Sequence, residues 1–182
     1  MKNYVVESYE NYKEEDRLTT NNARRIEFVN TVKILDEHIQ KNSKILDCAA
    51  GTGVYAFYFA GKGHDVTATD ITPRHIDIIN QNLADKQYSM KTAVLDATDL
   101  SVFADESFDV VLNMGPFYHL ISEEQRNRCM NECIRVLKKE RYFGDCVYSQ
   151  ILCFPVCCHE QSQIYRQHFS KTANRNRRVK AL

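Results

Sequence analysis

What this 182-residue chain lacks narrows its role first. No apolar run approaches the ~20 residues of a membrane helix. No charged start leads into an apolar stretch and a small-residue cleavage site, so a secretory leader is not expected. Net charge is missing too: 24 Lys plus Arg balance 24 Asp plus Glu. With no global field to gather nucleic acid or an anionic membrane, the expected partner is a small molecule. The 7 cysteines are odd in number and irregularly spaced. No C-x-x-C pair occurs among them, which argues against a disulfide framework or a zinc site. Free thiols in a cytoplasmic protein with no metal are the expectation. Oligomeric state is left open.

What is present is an ordinary globular composition, 43% hydrophobic and 26% charged, at a length that supports one domain with a real core. A polar, tyrosine-rich lead-in, Tyr4 to Thr20, has too few apolar residues to bury on its own. Ile26, Val29, Val32, Ile34, Leu35 and Ile39 then approximate one helical face, with Asn21 or Asn22 as a cap. Beyond it the pattern alternates. Strands are expected at Lys44–Cys48, Asp65–Asp70, Ser89–Asp96 and Asp109–Asn113, and helices at Val54–Lys62, Pro73–Leu83 and Glu123–Leu137. Pro73 fits a first helical turn, which has no use for its missing N–H. Alternation of this kind predicts an α/β fold, a doubly wound parallel sheet with helices on both faces. Ligands on such sheets bind beyond the carboxyl ends of the strands, where strand order reverses.

The candidate residues gather at those ends. Lys44-Ile45-Leu46-Asp47-Cys48 leads into Ala49-Ala50-Gly51-Thr52-Gly53, a small-residue loop able to bring backbone amides to a ligand. Asp70, about 20 residues on, is placed to catch a ribose and able to accept both of its hydroxyl protons, which discriminates a free ribose from a phosphorylated one. A dinucleotide fingerprint, G-x-G-x-x-G, fails here, because the matching positions are Ala49, Gly51 and Val54. The pattern D-x-A-x-G-x-G instead closely resembles the first motif of the Rossmann-like, class I S-adenosylmethionine (SAM) dependent methyltransferases, with Ala49 replacing the first glycine. A strand ending in Asn113-Met114-Gly115-Pro116-Phe117-Tyr118-His119-Leu120 sharpens the resemblance to the methyltransferase-domain proteins that act on small molecules.

That resemblance implies SAM as cofactor and a small-molecule methyl acceptor. It implies Asp47 toward the methionine ammonium, Asp70 toward the ribose and Asp96 toward the adenine amino group. Ala49, Gly51, Gly53, Ile71, Ala97, Asn113 and Met114 complete the cofactor site. Phe117, Tyr118 and His119 fall on the substrate side, where an aromatic face attracts a sulfonium cation. His119 is the candidate base, its ordinary pKa lying near 6.5. Blander readings stand beside these: Asp70 as a helix cap, Asp96 as a turn residue, Phe117 and Tyr118 as packing, His119 as a structural hydrogen-bond partner.

The resemblance runs over residues 1–139 and includes Arg135-Val136-Leu137-Lys138. From Glu140 to Leu182 the chain loses it: cysteines cluster at Cys153, Cys157 and Cys158 beside His159, and a basic run closes the sequence. Convincing alternation is absent there, so the sheet is expected to be incomplete at its C-terminal strands. A one-base shift of a back-translated Glu140–His159, with wobble bases chosen freely, yields an apolar, aromatic peptide of the kind the family places there. The expectation is a methyltransferase domain at 1–139 and a frameshifted or divergent tail at 140–182. A SAM-binding remnant without turnover is the second reading, and a nicotinamide oxidoreductase a distant third.

Overall fold

A computed structural model describes residues 6–7, 22–147 and 150–156 of the chain. The lead-in Tyr4–Thr20, the Cys157-Cys158-His159 end of the thiol cluster and the basic run lie outside them, apart from Val6 and Glu7. The elements are α1 (Asn22–His38), β1 (Lys44–Cys48), α2 (Val54–Gly61), β2 (Asp65–Asp70), α3 (Pro73–Leu83), β3 (Met90–Val94), β4 (Phe108–Asn113), a 3-10 turn at Pro116–Tyr118, α4 (Glu123–Val136), β5 (Leu137–Val147) and β6 (Gln150–Val156). The strands lie in the order β3-β2-β1-β4-β5-β6. All neighbours pair in parallel except the antiparallel β5 and β6. Order therefore reverses between β1 and β4, which puts a crevice beyond their carboxyl ends.

Period-2 alternation divides the sheet residues between two cores. Ile45, Val66, Ala68, Val110 and Leu112 pack with Val32 and Leu35 of α1, Ala56 and Phe59 of α2, and Ile76 and Ile79 of α3. On the other face Leu46, Cys48 and Val111 pack with Cys129, Met130, Cys133 and Val136 of α4. Helices cover both faces, as the sequence pattern predicts. Two local devices start the later helices. Pro73 occupies the first turn of α3. Ser122 caps α4, accepting from Gln125 N–H at 3.1 Å while Gln125 reaches back to the Ser122 N–H, with Glu123 and Glu124 in the first turn.

Two expectations need correction. The apolar face of α1 is the predicted row only in part: Val32 and Leu35 are buried and Ile39 packs on the core, but Ile26 and Val29 are 60% and 57% exposed and Phe28, outside the row, packs in their place. The helix and the residue after it meet the core through Phe28, Val32, Leu35 and Ile39, a stripe at helical spacing that leaves Ile26 and Val29 on its outer side. The second concerns the strands after Lys139, where the sequence pattern predicts none. The backbone pairs β5 beside β4 and β6 beside β5. Pairing of this sort satisfies main-chain N–H and C=O groups that an unpaired β4 would leave open, and it asks nothing of side-chain alternation. The join is irregular nonetheless: Phe108 faces Leu137, whereas Val110 faces Tyr142, so one residue on β4 spans four on β5. No loop separates α4 from β5.

Candidate cofactor and active site

Beyond Cys48 the chain turns through a loop in which Ala49 (φ 59°), Gly51 (φ 57°) and Gly53 (φ 84°) all take left-handed backbone. Glycine does so freely; Ala49 does so at a cost on the order of 1 kcal/mol. The loop is tied to β2 at two points. Ala50 N–H donates to the Thr69 carbonyl at 2.8 Å, and Gly51 N–H donates to Asp70 Oδ2 at 2.9 Å. Gly53 has a separate task. A Cβ there would stand 2.9 Å from Ile79 Cγ1, so its bareness lets α2 begin against α3.

The loop walls a cavity of about 330 Å³ at the carboxyl ends of the first four strands. That is within the usual size range for small-molecule sites. Asp47, Ala49, Gly51, Asp70, Ile71, Asp96, Ala97, Met114, Tyr118 and His119 all line it, as do Tyr55, Thr72, His75, Thr98, Asp99, Gln125 and Arg128, which the sequence reading passed over. Three predicted residues stand behind the wall instead. Gly53 packs on α3; Asn113 is fully buried, its Oδ1 3.7 Å from Cys129 Sγ; Phe117 packs against the α4 core. Phe117 turns away because the 3-10 turn after Gly115-Pro116 splits the three aromatic residues between core and cavity. Thr72 was within reach of sequence reasoning as the residue before a helix-starting proline. Gln125 and Arg128 carry no such signal, since only the docking of α4 brings them to the cavity.

Asp47 is 1% exposed, and its Oδ2 has no hydrogen-bond partner. Burial pushes its carboxyl up to about 7, against the lowering effect of the Ala56 N–H, with the nearby Asp70 charge raising it further. Asp70 goes the other way. Burial raises it, but His75, the Thr72 N–H and the Gly51 N–H together hold it below the usual carboxylate range. Asp96 lies two residues past the end of β3, where its Oδ1 accepts from both Thr98 N–H (2.8 Å) and Thr98 Oγ1 (2.9 Å). It is a turn residue and a cavity residue at once.

The arrangement suits a cationic nucleoside. An unsatisfied buried carboxylate calls for a cation, and SAM carries an ammonium and a sulfonium. Asp47, Asp70, Asp96 and Asp99 line the cavity with Arg128, leaving carboxylates in excess. Among the described residues no group of three or more His, Cys, Asp or Glu side chains could hold a metal ion. Likewise no described helix is long and apolar enough to cross a membrane.

With this geometry the chain falls in the Rossmann-like class of SAM-binding folds. It belongs to the methyltransferase domain family, whose model matches residues 45–140. A glycine/sarcosine N-methyltransferase of Aphanothece halophytica is 32% identical over 110 residues, 60% of this chain and 41% of that protein. The chain thus spans about two-fifths of that curated relative. A SAM-dependent methyltransferase of Methanosarcina mazei superposes with a TM-score of 0.58 at 27% identity, over 62% of this chain and 55% of the other. A protein of Pyrococcus horikoshii OT3 shares the fold at a TM-score of 0.65 and 21% identity, over 87% and 86% of the two chains. SAM is the cofactor that this family membership assigns.

Proposed function

We propose that this protein binds SAM in the cavity at the head of β1 and transfers its methyl group to a small-molecule acceptor. The observation that carries the reading is the unsatisfied Asp47 carboxylate, set in the cavity wall beside the left-handed Ala49–Gly53 loop. SAM supplies a methyl carbon on an already charged leaving group, so the chemistry asks mainly for alignment in a dry pocket. Asp47 holds the ammonium, Asp70 a ribose hydroxyl and Asp96 with Ala97 the adenine end. Ile71 and Met114 also line the cavity, while Gly53 and Asn113 support it from behind. Tyr118 and His119 line the same cavity, and His119 takes up the acceptor's proton when the nucleophile carries one. A relative named for glycine and sarcosine supports a small acceptor, and free thiols support a cytoplasmic setting.

A second reading, cofactor binding without turnover, is favoured by one observation. The family match ends at residue 140, beside the stretch where four residues of β5 oppose one of β4. A tail at 140–182 read in a shifted frame accounts for such a join. The test is transfer of a labelled methyl group from SAM to a panel of small amines, thiols and alcohols, by this chain and by a frame-restored version. Turnover by the chain as it stands supports the first reading. SAM binding with turnover only after restoration supports the second, and failure of both proteins to bind SAM sinks the two together.

A further inference from the structure

The two oxygens of Asp70 are not equivalent. Oδ1 accepts from Thr72 N–H at 2.8 Å and lies 3.2 Å from Nδ1 of His75, whereas Oδ2 accepts from Gly51 N–H at 2.9 Å. An ionised carboxylate only accepts, with two lone pairs on each oxygen. His75 Nδ1 must therefore carry the hydrogen of that contact, and Oδ1 is then saturated. A single acceptor position remains, on Oδ2. His75 is 2% exposed, sits in the first turn of α3, and lines the same cavity as the carboxylate it touches. Its placement follows from the chain: the turn Asp70-Ile71-Thr72 closes on Asp70 Oδ1, Pro73 starts the helix, and the helix returns His75 to the same oxygen.

We propose that His75 is a positioning residue which locks Asp70 into taking one ribose hydroxyl of the cofactor through Oδ2, so that the site treats the 2′ and 3′ hydroxyls unequally. The proposal rests on the SAM-binding reading. A carboxylate with both oxygens open grips a ribose at both hydroxyls and loses affinity similarly when either is removed. With Oδ1 occupied, one hydroxyl meets a charged acceptor and the other does not. A histidine that merely fills space in the core would leave the two hydroxyls alike, so the difference between them reports on positioning and not on folding.

Calorimetry of the full chain with S-adenosylhomocysteine and its 2′-deoxy and 3′-deoxy analogues tests this. In the parent protein one analogue should bind about tenfold or more weaker than the unmodified compound and the other within about threefold. His75→Ala opens Oδ1, so the two analogues should come within about threefold of each other; His75→Asn, which keeps a side-chain N–H near the Nδ1 position, should restore the inequality. Equal losses for the two analogues in the parent protein overturn the proposal without touching the cofactor assignment, and that arm needs no variant to fold. An inequality that survives in folded His75→Ala overturns it as well. No binding of S-adenosylhomocysteine by the parent removes the cofactor reading on which the proposal stands.

Discussion

Replacing Asp47 by asparagine separates the cost of the site from its use. The Asp47 carboxyl sits at about 7 in the folded chain against 3.8 for the free group. Between those values the folded protein holds a proton that the unfolded chain has released. Stability therefore falls as pH rises from about 4 to about 7, then levels off. A raise of about three units at about 1.4 kcal/mol each sets an upper bound of roughly 4 kcal/mol, and structural relaxation brings the expected effect to about 1–4 kcal/mol. The substituted amide carries no charge and keeps an oxygen for the Ala56 N–H. The Asp47→Asn variant should match the parent near pH 4 and be more stable at pH 8, raising the melting temperature by roughly 2–4 °C per kcal/mol. Its affinity for SAM should fall about tenfold or more, since the ammonium loses a charged, water-poor partner. SAM binding to the parent near pH 6.5 should also release protons, visible as buffer-dependent calorimetric heats. Urea melts at pH 4, 6 and 8 with calorimetry decide the matter. An Asp47→Asn variant less stable than the parent at pH 8, together with unchanged SAM affinity, refutes the reasoning.

The two loop glycines should fail differently. Gly51→Val puts a branched side chain at φ 57° on the cavity wall and should abolish SAM binding while costing about 1–3 kcal/mol of stability. Gly53→Ala, whose Cβ meets Ile79, should cost a similar amount and leave affinity within about threefold in the folded fraction; thermal melts with calorimetry on both variants separate the cases. Cys48, Cys129 and Cys133 are fully buried, and hydrogen bonding of the Cys133 S–H to the Cys129 and Cys48 sulfurs, with burial, pushes the Cys133 thiol well above its usual range. Peptide mass spectrometry after iodoacetamide should find these three unmodified in the native protein and modified in urea; rapid native labelling contradicts that packing.

The sheet up to β4 was legible because buried strands and amphipathic helices leave periods of 2 and 3.6 in the sequence, and the observed bounds differ from the expected ones by at most two residues, as at Met90–Val94. Asp47, Gly51 and Asp70 were legible because spacing along one strand-loop-strand unit fixes their places. Gln125 and Arg128 were not, since cavity membership there depends on how α4 docks and not on local pattern. His75 was missed for a related reason. Its partner lies across a turn, and a histidine in a helical run looks like any polar helix residue. The α1 row holds at Val32, Leu35 and Ile39 and fails at Ile26 and Val29, because periodicity shows where a helix is apolar, not which of two adjacent apolar rows the core takes. The strands β5 and β6 escaped notice because main-chain pairing leaves no mark on side-chain order.

Calorimetric titration of the full chain and of its Asp70→Ala variant with S-adenosylhomocysteine and with NAD tests the central claim most directly. The chain should bind S-adenosylhomocysteine and not NAD, and Asp70→Ala should weaken that binding by roughly 1.5–3 kcal/mol, the worth of a charge-assisted hydrogen bond. Tight binding of NAD by the parent, or equal affinity for S-adenosylhomocysteine in the folded variant, would contradict it.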